Sequence, residues 1–193
     1  MPEPKASAGK KSPANPETTA MLTPLVMTLI GPDRTGLVEK VARTIADHGG
    51  NWLESRLCRL GGEFAGILRL EIPEIKKAAL LAALQAIPDL QVVGRPDEPK
   101  VSPVNARLTK FEIIGSDRPG IVREISSALA RAQVNVEEFS SEVVSAPMSG
   151  ETLFKASARL QLPAGCDLGA LKKDLEKIAA DLLVDVSFTE ISS

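Results

Sequence analysis

At two places this 193-residue chain sets an aspartate and an arginine side by side between glycines. The first is Gly31-Pro32-Asp33-Arg34-Thr35-Gly36-Leu37-Val38, and 84 positions on comes Gly115-Ser116-Asp117-Arg118-Pro119-Gly120-Ile121-Val122. Each stretch follows an apolar, strand-like run and opens an amphipathic helical pattern, so the repeated object is a strand-loop-helix junction. Leu37 and Ile121 lie in the first turns of helices, where the leading amides have no partner within the helix. With about half a positive charge from the helix dipole, those amides suit a carboxylate. Asp33 and Asp117 would receive an ammonium group, Arg34 and Arg118 would add a cationic rim, and Gly31, Gly36, Gly115 and Gly120 would let a ligand approach the backbone. Both signs of charge in one loop suit a zwitterion, that is, a free amino acid.

A plainer role competes. An aspartate ahead of a helix commonly caps it, worth about 1 kcal/mol; the glycines serve the turn, and Pro119 suits a first helical turn. Capping needs the aspartate but not the arginine beside it, and both recur. Asn51 and Asn135, where the second strand of each repeat begins, are the next candidates. Each either offers an amide to a ligand in a neighbouring copy's loop or is a turn residue in a left-handed conformation. His48 has Ala132 at its equivalent position and reads as a solvated helix end; Trp52 has Val136 and reads as packing. Cys58 and Cys166 fall at non-equivalent places and give neither a metal spacing nor a disulfide framework, so a reducing cytoplasm is expected. No Cys/His, Ser/His/Asp or metal cluster stands out, so no catalytic residue, metal or cofactor is expected.

The elements that position these residues follow from periodicity. Leu25 to Ile30 reads as a buried strand, and Leu37, Val41 and Ile45 as the inner stripe of a helix ended by Gly49-Gly50. Asn51 to Leu60 and Phe64 to Ile72 form a hairpin about Gly61-Gly62, Glu74 to Ala86 a second helix, and Leu90 to Val93 a fourth strand. The second repeat gives strand Leu108 to Ile114, helix Pro119 to Ala132, strands Val134 to Val144 and Thr152 to Leu162, helix Asp167 to Asp181 and strand Leu183 to Phe188. Six extra residues fall in its hairpin around Ser145 to Gly150. The order βαββαβ, twice, predicts an α+β chain of two ferredoxin-like domains, each an antiparallel four-stranded sheet with two helices on one face. The domains are expected at 23–95 and 107–193, with a disordered tail over 1–22 and a linker over 96–106 whose proline-rich run begins at Gly94. Uncovered sheet faces and edges predict pairing of units and a homodimer.

Composition narrows the function classes. At 44% hydrophobic and 25% charged residues this is an ordinary soluble globular chain. A net charge of −2 leaves no cationic surplus for phosphates, so direct nucleic-acid binding is not expected. RNA-recognition domains share βαββαβ, but Ile67-Leu68-Arg69-Leu70-Glu71-Ile72 and its counterpart from Ala156 lack their stacking aromatics. No apolar run approaches the roughly 20 residues of a membrane span.

With loop and topology together, the chain resembles the ACT-domain proteins, specifically the stand-alone tandem group that includes the glycine cleavage system transcriptional repressors. Ile30 to Val38 and Ile114 to Val122 carry the resemblance, which runs from about Leu25 to Phe188; Thr35 replaces the proline of the Asp-Arg-Pro-Gly form. It implies a small amino acid, glycine suggested, bound at interfaces between ACT units, with output through a partner protein or transcriptional regulator. ACT segments also accompany enzymes such as formyltetrahydrofolate deformylase, but here both halves are used up by the repeats. A ligand-free dimerisation or interaction scaffold is the alternative.

Overall fold

The computed structural model describes residues 21–98, 107–146 and 150–190. The expected tail and linker fall almost wholly outside these residues, as do residues 147–149 of the second hairpin. The chain divides into two compact units between residues 99 and 100.

The first unit runs β1 (Leu22–Pro32), α1 (Leu37–Asp47), β2 (Asn51–Leu60), β3 (Glu63–Pro73), α2 (Lys77–Gln85) and β4 (Gln91–Pro96). The second runs β5 (Arg107–Ser116), α3 (Ile121–Arg131), β6 (Asn135–Ser145), β7 (Thr152–Leu162), α4 (Leu168–Leu182) and β8 (Val184–Glu190). Each sheet is antiparallel, with strand orders β2-β3-β1-β4 and β6-β7-β5-β8. In the first unit Leu25, Met27, Leu29, Leu68, Leu70, Ile72 and Val92 point to one face, where Leu37, Val41 and Ile45 of α1 and Leu80 and Leu84 of α2 bury them. The second unit repeats this with Phe111, Ile113, Ala158 and Leu160 under Ile121, Ile125, Leu171 and Leu175. Burial of this kind stabilises by about 1.5–3 kcal/mol per large apolar side chain.

Several boundaries differ from the expected ones for local reasons. The continuous apolar run of β1 resolves into an alternation, because only one sheet face is covered: Thr28 and Ile30 stand exposed on the other. β4 extends to Pro96, with Met27 opposite Gly94 and Leu25 opposite Pro96, so the start of the expected linker is paired strand. Glu74–Lys76 form a single 3₁₀ turn before α2. Helix α3 starts at Ile121 because Gly120, at φ 100°, ends the loop in a left-handed conformation and leaves Pro119 outside the helix. Asp167 is the N-cap of α4, and its carboxylate accepts from the Ala170 amide.

The open faces of the two sheets differ in chemistry. Cross-strand rows of the first bring together Ile67, Thr28 and Val93, then Ala65, Ile30 and Gln91, an apolar patch beside Arg69. A hydrogen bond to Asp97, reinforced by that carboxylate's charge, raises the pKa of the Arg69 guanidinium. The same rows of the second sheet hold Ser157, Glu112 and Ser187, then Lys155, Ile114 and Asp185.

Helix α1 ends through Gly49 at φ 75°, and α3 ends at the same place through Gln133 at φ 56°. A left-handed conformation costs a residue with a Cβ about 1–2 kcal/mol, of which the greater freedom of glycine in the unfolded chain takes back part. Gln133→Gly is therefore expected to raise stability by about 0.5–1 kcal/mol in urea unfolding, and Gly49→Gln to lower it by a similar amount.

Candidate functional site

The repeated loops form two corners with the same backbone. At the first, the Asp33 amide donates to Gly62 O (2.9 Å) at the β2-β3 hairpin; at the second, the Asp117 amide donates to Thr152 O (3.0 Å). On the other side of each corner the turn before the fourth strand passes close by. A Cβ at Gly31 would stand 2.6 Å from Asp89 O, and one at Gly115 would stand 2.5 Å from Leu183 O. These two glycines are therefore required by strand packing, independently of any ligand. Gly36 (φ 86°) and Gly120 (φ 100°) are the helix N-caps, and no atom lies within 4 Å of a Cβ built at Gly36.

Capping does not explain the aspartates, since neither α1 nor α3 has a side-chain cap. The first-turn amides are instead largely open. The Leu37 amide donates to Arg34 O at 3.3 Å, while those of Val38 and Glu39 have no acceptor among the described residues. At the second corner the amides of Ile121, Val122 and Arg123 are likewise without one. The side chains of Leu37 and Ile121 are buried, so these residues present only backbone. Open amides at a helix start are the elements of an anion site.

The charged rims are not alike. Around the first corner, Asp33 Oδ2 lies 2.6 Å from Arg59 Nε of β2, and Arg34 Nη1 lies 3.6 Å from Asp89 Oδ2 while its Nη2 donates to Pro88 O. An open cleft of about 450 Å³ runs from these charges over Leu37, Val38, Glu39 and Ala42 to Phe64. Around the second corner, Asp117 and Arg118 are exposed and have no ionic or hydrogen-bonded side-chain partner among the described residues. Arg59 and Asp89 were absent from the sequence-derived set. They lie 25 and 55 residues beyond Arg34, and only the strand register shows that they border the loop.

Asn51 and Asn135 are exposed at the far end of their sheets. Asn51 pairs with Glu71, opposite Pro24, and Asn135 pairs with Gln161, opposite Leu108. Each row is seven residues along β1 or β5 from Gly31 or Gly115, about 23 Å at the rise of a strand. Within one unit, asparagine and corner do not meet. His48 ends α1 half-buried, its Nδ1 2.7 Å from Thr44 O, and Trp52 packs on the core. Cys58 is exposed and Cys166 half-buried, both as free thiols. Among the described residues no three His, Cys, Asp or Glu side chains are grouped to hold a metal, and no helix is long and apolar enough to cross a membrane.

Gly31→Ala and Gly115→Ala drive a methyl group into backbone that cannot retreat. Each is expected to cost about 2 kcal/mol or more, against about 1–2 kcal/mol for Gly36→Ala, where only the left-handed conformation resists. Urea midpoints of the three variants check the order.

Comparison with known proteins gives a consistent result. The ACT-domain family model matches residues 23–91 and again residues 111–189. The glycine cleavage system transcriptional repressor of Escherichia coli is 24% identical over 167 residues, covering 82% of this chain and 85% of its own length. A UPF0237 protein of Methanopyrus kandleri is 39% identical over 75 residues, 38% of this chain and 77% of its own. Among solved structures, a protein of unknown function from Galdieria sulphuraria has a TM-score of 0.78 at 27% identity, over 89% of this chain and 100% of its own.

Proposed function

The chain belongs to the ACT-domain family, and on that premise we propose that it is a regulatory protein that binds a small amino acid at its strand-to-helix corners. One observation carries the reading: open first-turn amides beside an Asp-Arg pair, built twice on the same backbone. The ligand carboxylate would take the amides around Leu37 to Glu39 or Ile121 to Arg123, with Arg34 or Arg118 at the rim. Its ammonium group would take Asp33 or Asp117. Gly36 and Gly120 keep the approach clear. Because Asn51 and Asn135 lie away from their own corners, they would contribute only from another ACT unit laid over the ligand.

Glycine is the proposed ligand. Similarity to the repressor of Escherichia coli supports it, as does a corner that offers a main-chain zwitterion all its contacts. Binding acts on a partner protein or transcriptional regulator by shifting how units pair, and the shift is limited by the ligand's differential affinity, typically about 1–3 kcal/mol. A homodimer fits the free edge strand β6, whose Val136, Phe139 and Val143 are exposed on the helix side of the sheet. The free thiols fit a cytoplasmic setting. The protein would act without catalysis, metal or nucleic-acid contact of its own.

A ligand-free interaction scaffold is the second reading, favoured by the exposed Ile30, Ile67 and Val93 on the first sheet's open face. Thermal unfolding with each proteinogenic amino acid separates the two. At 100 times its dissociation constant the ligand should add about 2.7 kcal/mol of stability, and the double variant Asp33→Ala/Asp117→Ala should lose that increment. No shift with any amino acid leaves the scaffold.

A further inference from the structure

The two corners share a backbone, and two differences between their side chains bear on the charged rim. Superposing the repeats by strand register puts Val143 where Arg59 stands, because Arg59 pairs with Phe64 and Val143 with Phe154. Leu183 stands where Asp89 does, since each presents its carbonyl to the corner glycine, at 2.5 and 2.6 Å from the Cβ position, and each has a positive φ. In the first helical turn Glu39-Lys40 gives way to Arg123-Glu124, and neither turn adds net charge, since Glu39 pairs with Arg43 and Arg123 with Glu124. Asp33 and Arg34 are thus engaged by Arg59, Asp89 and Pro88 O. Asp117 and Arg118 lack the corresponding partners among the described residues.

We propose that the corners have divided their roles: the second is the ligand-responsive site, and the first is closed by its own ion pairs into a structural corner. The division rests on the amino-acid-binding reading and deepens it. The helix ends decide nothing here, being alike in both units; the decision lies in the rim. A zwitterion entering the first corner must displace Arg59 from Asp33 and Asp89 from Arg34. At the second corner the same groups are met unengaged. Exposed pairs of this kind are individually weak, but two together lower the affinity of the closed corner by about tenfold. The cleft at the first corner does not offset this, because its lining charges already have partners.

The test is calorimetric titration of the full chain with glycine and then with each other proteinogenic amino acid. The expected result is one site per chain. Val143→Arg/Leu183→Asp gives the second corner the partners of the first, at two exposed positions, and should weaken binding about tenfold; because Val143 also lies on the β6 edge, the oligomeric state is measured on the same samples and should be unchanged. Arg59→Val/Asp89→Leu should open the first corner and raise the stoichiometry from one to two. Two equivalent sites in the unaltered chain, or an unchanged affinity in Val143→Arg/Leu183→Asp, would overturn the division while leaving amino-acid binding intact. No heat with any amino acid would remove the reading beneath it. If the first pair of substitutions disturbs the fold, the stoichiometry of the second pair decides alone.

Discussion

A strand that turns straight into a helix beside the start of another strand leaves no room for a side chain at the turn. That constraint, met by Gly31 against Asp89 O and by Gly115 against Leu183 O, governs the rest of each unit. It brings the last residues of β1 against the entry to β4 and the last residues of β5 against the entry to β8, and this fixes where α1 and α3 begin. With those starting points set, Leu37, Val41 and Ile45 fall onto the sheet together with Leu80 and Leu84. The first-turn amides are left facing outward at a corner pinned on its other side by the Asp33-Gly62 and Asp117-Thr152 hydrogen bonds. Core and candidate site therefore have one geometric origin, and a change that relaxed the corner would loosen both.

The same backbone carries two different electrostatic surroundings. Exposed ion pairs contribute little to folding stability, so the rim of a corner can change without endangering the fold beneath it. Arg59 and Val143 occupy equivalent positions on edge strands, and Asp89 and Leu183 equivalent left-handed positions before the last strand. Packing holds the glycines fixed while the rim remains free to diverge. A duplicated domain can separate structural from responsive roles in this way, without inventing a second architecture.

Much of this was legible in the residues. The alternation of Phe154, Ala156, Ala158, Leu160 and Leu162 against polar neighbours marked β7 to the residue, and the stripe of Leu171 and Leu175 marked the buried side of α4. Repetition of Asp-Arg between glycines marked both corners. What escaped were facts about neighbours far apart in the chain. The clash that forces Gly31 depends on Asp89, and the engagement of Asp33 depends on Arg59, which only the pairing of β2 with β3 brings near. Capping was the natural expectation for an aspartate before a helix, but in a corner this tight a left-handed glycine occupies the cap and the carboxylate turns aside. Continuous apolar sequence in β1 suggested a strand covered on both sides, whereas alternate residues of it face water.

The contrast between the open sheet faces has a practical side. Thr28, Ile30, Ile67 and Val93 occupy the positions at which the second unit has Glu112, Ile114, Ser157 and Ser187. An oily plane of this sort adsorbs to plastic and to air bubbles and is quieted by mild detergent, whereas a plane of hydroxyls and carboxylates holds its own hydration shell. Cut apart, the halves would carry their adhesive surfaces in different places, the amino-terminal one on its open sheet face and the carboxy-terminal one along the β6 edge, where Val136, Phe139 and Val143 are exposed.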